Sequence, residues 1–128
     1  MSMTLLTFQW VVRVAGILAL ILGLLFWTGD APATLVPVHM LLGTLTVLAL
    51  WLVAVTGSQM GAPMGMVIGA AVLGLLVLAL GFSQQSLMPG SGHWVVQVVH
   101  LILGMAAIAS SEMIGGRVRR AQAAATAS

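Results

Sequence analysis

The sequence predicts an all-α integral membrane protein, a four-helix up-down transmembrane bundle built from a duplicated helical hairpin. Three observations lead to this class. Of 128 residues, 61% are hydrophobic and only 5% charged, where an average soluble domain carries roughly 25% charged residues. The apolar residues fall into four runs, each near the ~20 residues that carry a helix across a hydrocarbon core about 30 Å thick. A short pattern around one histidine then recurs in the second and fourth runs.

The first helix is predicted over about 5–27, where Val11–Trp27 is extended on its near side by Leu5–Trp10. This run, followed by small residues, also has the outline of a signal peptide, but it is counted as a retained helix. The second is predicted over 35–55, the third over 62–82 and the fourth over 93–114. All four are rich in Leu, Ala, Val, Ile and Met without the alternation of barrel strands, so helices are expected. The connections Thr28–Pro32, Gly57–Gly61 and Ser83–Gly92 are short, which makes successive helices antiparallel neighbours. Residues 1–120 thus read as one domain. The small, polar end 121–128 is expected to be a flexible tail.

Charge adds topology and removes function classes. There is no lysine, which excludes a retinal Schiff base, and no cysteine, which excludes disulfides, thiolate metal sites, iron–sulfur clusters and covalent haem attachment. The net charge of +2 comes from Arg13, Arg117, Arg119 and Arg120 against Asp30 and Glu112. Three of these arginines follow the fourth helix and one lies near the start of the first. The positive-inside rule then puts both termini in the cytoplasm of a bacterial inner membrane. Trp10 and Trp51 are expected near the inner interface, Trp27 and Trp94 near the outer one. Nothing in this pattern suggests nucleic acid as a partner. With no soluble domain, catalytic dyad or phosphate-binding loop, a hydrolase or an ATP-driven pump is not expected.

The repeat carries the chemistry. Val38-His39-Met40-Leu41-Leu42-Gly43 on the second helix returns as Val99-His100-Leu101-Ile102-Leu103-Gly104 on the fourth. The first and third helices correspond more loosely, Gly16–Leu20 against Gly69–Leu73. Two parallel copies of a hairpin would be related by a pseudo-twofold axis along the membrane normal. At ~1.5 Å rise per residue, His39 and His100 lie at similar depth in the outer leaflet. Each is followed by glycine four residues on, one turn away on the same face. A flat macrocycle held between two imidazoles needs such bare helix surface, and neutral imidazole is a common axial ligand of haem iron. The plainer reading of a histidine in a membrane helix is polar glue, hydrogen-bonded to a neighbouring helix.

On these two His-x-x-x-Gly motifs the chain resembles the small four-helix membrane b-type cytochromes, loosely of the cytochrome b561 kind. The resemblance implies one haem b with His39 and His100 as axial ligands of the iron and Gly43 and Gly104 against the porphyrin. The b561 type has two histidine pairs and two haems, whereas this chain has one matched pair. It implies electron exchange with quinol, another membrane subunit or a protein partner rather than conduction across the bilayer. The same histidines also suit the magnesium of a chlorophyll-type pigment. A cofactor-free accessory subunit of a larger membrane complex is the third reading.

Other polar residues supply smaller expectations. His93 lies seven residues before His100 and so on the same face, and with Gln97 it is placed to hydrogen-bond haem propionates. Water at the interface is its alternative partner. Arg13 and Glu112 count to the same inner leaflet, where an isolated charge is costly, so an interhelical ion pair joining the first and fourth helices is expected. Gly61, Gly65 and Gly69 form a small-xxx-small series that predicts a packing seam to the second helix or to another chain. The nine methionines are expected to fill apolar space rather than bind metal.

Overall fold

A computed structural model describes residues 2–127. It contains four long helices, α1 Met3–Thr28, α2 Val36–Gln59, α3 Met64–Ser83 and α4 His93–Ala127. Short 3₁₀ turns precede α2 (Ala33–Leu35) and follow α3 (Gln84–Ser86). No strand occurs among the described residues. All four helices are long and apolar enough to span a membrane, as an integral membrane protein requires.

The helix ends follow local chemistry. Ser2 caps α1 by accepting from the Leu5 amide at 3.2 Å, which satisfies one of the amides that a helix start leaves free. Gly29 ends α1 in the left-handed region at φ 81°, and Asp30 N donates back to the Leu25 carbonyl at 2.9 Å, as in a glycine-terminated helix. Pro37 stands in the first turn of α2, where its missing N–H costs nothing. Hydroxyls inside the helices return to their own backbone. Thr46 donates to the Leu42 carbonyl, Thr56 to Leu52 and Ser83 to Ala79. Such local bonds satisfy these three hydroxyls in an apolar surrounding, whereas the buried Ser111 hydroxyl of α4 has no partner among the described residues.

α4 runs well past residue 114, where the apolar run ends, and stays helical to Ala127. Residues 121–127, within the segment expected as a tail, form its last turns, and Ser128 lies outside the described residues. Alanine explains the extension. The five alanines between 121 and 127 have the highest helix propensity, and no proline or turn pair interrupts them.

The helices pack α1 on α2 and α4, and α2 and α4 on each other and on α3. The dry core lies around Leu5, Val12, Val47, Leu50, Val53 and Ile114, all fully buried. Small residues set the close approaches. A Cβ on Gly57 would collide with Ile114, one on Gly16 with Ile108, and one on Gly74 with Trp51, the small-residue packing that membrane helices use. Trp51 packs over Gly74 and donates its indole N–H to the Ala71 carbonyl at 3.3 Å. The Gly61, Gly65 and Gly69 series is not the seam to α2, because a Cβ at any of the three would meet nothing within 4 Å. Outward-facing Leu41, Ile68, Leu75 and Ile102 are exposed and fit a lipid surrounding.

Candidate functional site

Away from this core, the bundle opens into a cavity of about 350 Å³. Every helix contributes to it: α1 from Gly16 to Trp27, α2 from Val36 to Thr46, α3 from Val77 to Phe82 and α4 from His93 to Ala107. Gln84 and Gln85 of the 3₁₀ turn complete the wall. The structure brings His39, His100, His93, Gln97, Gly43 and Gly104 together on this one cavity. No Arg, Lys, Asp or Glu lies among its lining residues.

His39 and His100 are neighbours across the cavity in an edge-type arrangement, ring centroids 6.3 Å apart and planes inclined at 60°. Nδ1 of each ring is buried without a hydrogen-bond partner. Buried polar atoms are rarely left so. The Ala19 carbonyl on α1 bears on the His39 ring, but no hydrogen bond within ordinary geometric limits closes on either Nδ1. Polar glue between helices would use these atoms, and here they are not used.

The glycines divide the work differently from the sequence pattern. Gly43 has nothing within 4 Å of a built Cβ, and Gly104 meets only Leu20 at 3.5 Å. Both leave the cavity wall bare, and neither touches an imidazole. The histidines rest instead on Gly23 of α1 and Gly81 of α3. A Cβ at Gly23 would lie 3.3 Å from Cε1 of His39, and one at Gly81 would lie 3.4 Å from Cε1 of His100. Phe26 adds an edge-on ring to His39, with centroids 5.7 Å apart at 82°. Spacing within one helix does not reveal these three residues, since they come from the preceding helix. Their available signal is a glycine near the end of each apolar run that leads into a histidine-bearing helix.

The mouth of the cavity carries the uncharged polar groups Gln84, Gln85, His93 and Gln97. His93 Nδ1 lies 3.1 Å from the Leu87 carbonyl. A carbonyl only accepts, so His93 Nδ1–H is the donor in this contact.

Arg13 and Glu112 sit apart from this cavity as a bidentate ion pair, Nε to Oε1 at 2.6 Å and the second guanidinium nitrogen to Oε2 at 2.7 Å. The guanidinium also lies 4.8 Å from the Trp10 ring centre, within cation–π range. One turn away, the buried Gln9 amide donates to the Ser111 carbonyl at 3.0 Å across the gap left by Gly115. Gln9 escaped the sequence reading, although it is the only amide side chain in the first helix.

Two imidazoles converging on a cavity can hold a metal centre that brings its remaining donors with it. Among the described residues, no group of three or more His, Cys, Asp or Glu side chains is placed to hold a bare ion. The spacing itself can be checked against coordination chemistry. Metal–imidazole bonds of about 2.0–2.1 Å, with about 1.2 Å from ring nitrogen to ring centre, put two opposed imidazoles about 6.4 Å apart between centres. The observed 6.3 Å agrees. No family model, curated protein or solved structure matches the chain.

Proposed function

We propose that the chain is a membrane b-type cytochrome or cytochrome subunit, with one haem b between His39 and His100. The observation that carries this reading is the histidine pair at 6.3 Å across a cavity walled by all four helices. Bare wall at Gly43 and Gly104 supports it, since a flat macrocycle needs helix surface without side chains.

Bound there, haem supplies one-electron redox chemistry. The chain's own residues do the rest. His39 and His100 hold the metal, and Gly23 and Gly81 seat their rings. Gln84, Gln85 and Gln97 offer amide N–H donors to the carboxylates of the macrocycle. The apolar wall keeps water from the centre, which favours the less charged, reduced state.

The topology that goes with this function is an up-down bundle of two related hairpins. Each hairpin pairs a glycine seat on its first helix with a histidine on its second. Both termini lie in the cytoplasm, given Arg117, Arg119 and Arg120 after the membrane-spanning part of α4, and the haem lies toward the outer face of a bacterial inner membrane. Its electron partner is quinol or another membrane subunit, since a single haem near one face does not bridge the bilayer.

The test is a reduced-minus-oxidised spectrum of the purified chain with haem quantified per polypeptide. One haem b per chain, lost in the His39→Ala/His100→Ala double variant, is the expected result. A chain free of haem bands overturns the reading, and red-region absorption at fixed stoichiometry replaces haem with a chlorophyll-type pigment.

A further inference from the structure

We infer that the two histidines hold unequally: Phe26 and Gly23 lock His39 as the retained ligand, and His100 is the releasable one. This rests on the haem reading above. Its origin is an asymmetry in how the two rings are supported.

His39 is confined from two directions by α1. Gly23 lies under its Cε1 edge, and the Phe26 ring meets it edge-on at 5.7 Å and 82°, inside the 4.5–7 Å range of favourable aromatic pairs. Together these contacts restrict both swing and rotation of the imidazole. His100 likewise lies beside a glycine, where a Cβ added at Gly81 would come within 3.4 Å of its Cε1, but among the described residues no aromatic ring other than His39 itself packs on it. The flanking backbone differs in the same sense. α1 and α2, which support His39, form the most extensive helix pair in the bundle. The α3–α4 pair that supports His100 is joined by a longer connection with left-handed backbone at Met88 and Gly90.

A ligand whose ring is already confined by packing loses less freedom when it coordinates. His39 is therefore the histidine whose bond persists when the other opens, and the side of the centre facing His100 is where an exogenous ligand enters. Phe26 is a positioning residue in this scheme. Its edge contact alone corresponds to about two- to twelvefold in affinity.

The experiment compares haem loss from full-length chain in detergent to excess apomyoglobin, with the oxidised spectrum as second readout. His100→Gly is expected to keep its haem in a high-spin form that turns low-spin when imidazole is added. His39→Gly is expected to lose haem at least tenfold faster. Phe26→Leu should speed loss about two- to twelvefold, and Phe26→Tyr, which keeps the ring edge, should restore the wild-type rate. Size-exclusion and circular dichroism establish that each variant is folded. Where His39→Gly does not accumulate, the Phe26 pair decides. Equal loss from both glycine variants, or a Phe26→Leu rate within twofold of wild type, overturns the inference while leaving the haem reading intact. A wild-type chain that takes up no haem overturns the haem reading itself.

Discussion

Two glycines on one helix provide a sharp perturbation, because they sit in opposite surroundings. A Cβ at Gly43 meets nothing within 4 Å and points into the cavity wall, whereas one at Gly57 collides with the Cγ2 methyl of Ile114. Gly43→Leu therefore grows into space. It gains about 0.5–1 kcal/mol of helix propensity, and partial burial of the new side chain adds about 1 kcal/mol, less than the ~1.5–3 kcal/mol of a fully buried leucine. The chain without cofactor should gain about 1.5–2 kcal/mol. Gly57→Ala adds one methyl to a full interface and should cost about 1–3 kcal/mol from overpacking. The two are measured by denaturant unfolding in a fixed detergent, followed by far-ultraviolet circular dichroism. Haem content supplies the second axis. Gly43→Leu should fold better and bind no haem, because its side chain occupies the macrocycle's place. A Gly43→Leu chain that is destabilised like Gly57→Ala, or that keeps a full complement of haem, would refute the reasoning.

Three further outcomes are expected. Removing either partner of the bidentate Arg13–Glu112 pair should destabilise the chain by about 1–3 kcal/mol, whereas Arg13→Leu/Glu112→Leu should recover most of the loss; a double-mutant cycle in the same unfolding assay measures the coupling. Gln9→Leu removes the donor to the Ser111 carbonyl and forces branched carbon against Gly115, so a cost of about 1–3 kcal/mol is expected, read as a lowered unfolding midpoint with unchanged haem spectrum. Gly81→Ala puts a methyl 3.4 Å from Cε1 of His100, which should shift the low-spin electron paramagnetic resonance signals of the haem-loaded chain while leaving haem stoichiometry at one.

Much of the fold was legible because it depends on composition along single segments. Four apolar runs near membrane length become four helices, and Gly29 and Pro63 stand where those helices end or begin. The end of α4 was not legible by the same signal. Hydropathy falls at Gly115–Arg120 while helix propensity persists through the alanines beyond, so the apolar run and the helix have different ends. The site was legible in part. His39 and His100 announce themselves as polar residues in a repeat, and they do line one cavity. The glycines beneath them did not. Whether Gly43 or Gly23 meets His39 depends on how α1 and α2 rotate against one another, which intrahelical spacing leaves open. Phe26 is hidden for the same reason, since a phenylalanine in an apolar helix carries no mark of its partner. Gly61, Gly65 and Gly69 show the converse, a packing motif whose spacing is right but where an added Cβ would meet nothing within 4 Å.

The decisive measurement is low-temperature electron paramagnetic resonance of the oxidised, haem-loaded chain, because it counts and identifies the ligands on the iron. Two imidazoles at the spacing of His39 and His100 give a single low-spin bis-histidine species at one per chain, converted to high spin in a His100→Gly variant. A high-spin wild-type signal, or a low-spin signal unchanged when both histidines are replaced, would contradict a haem held by this pair.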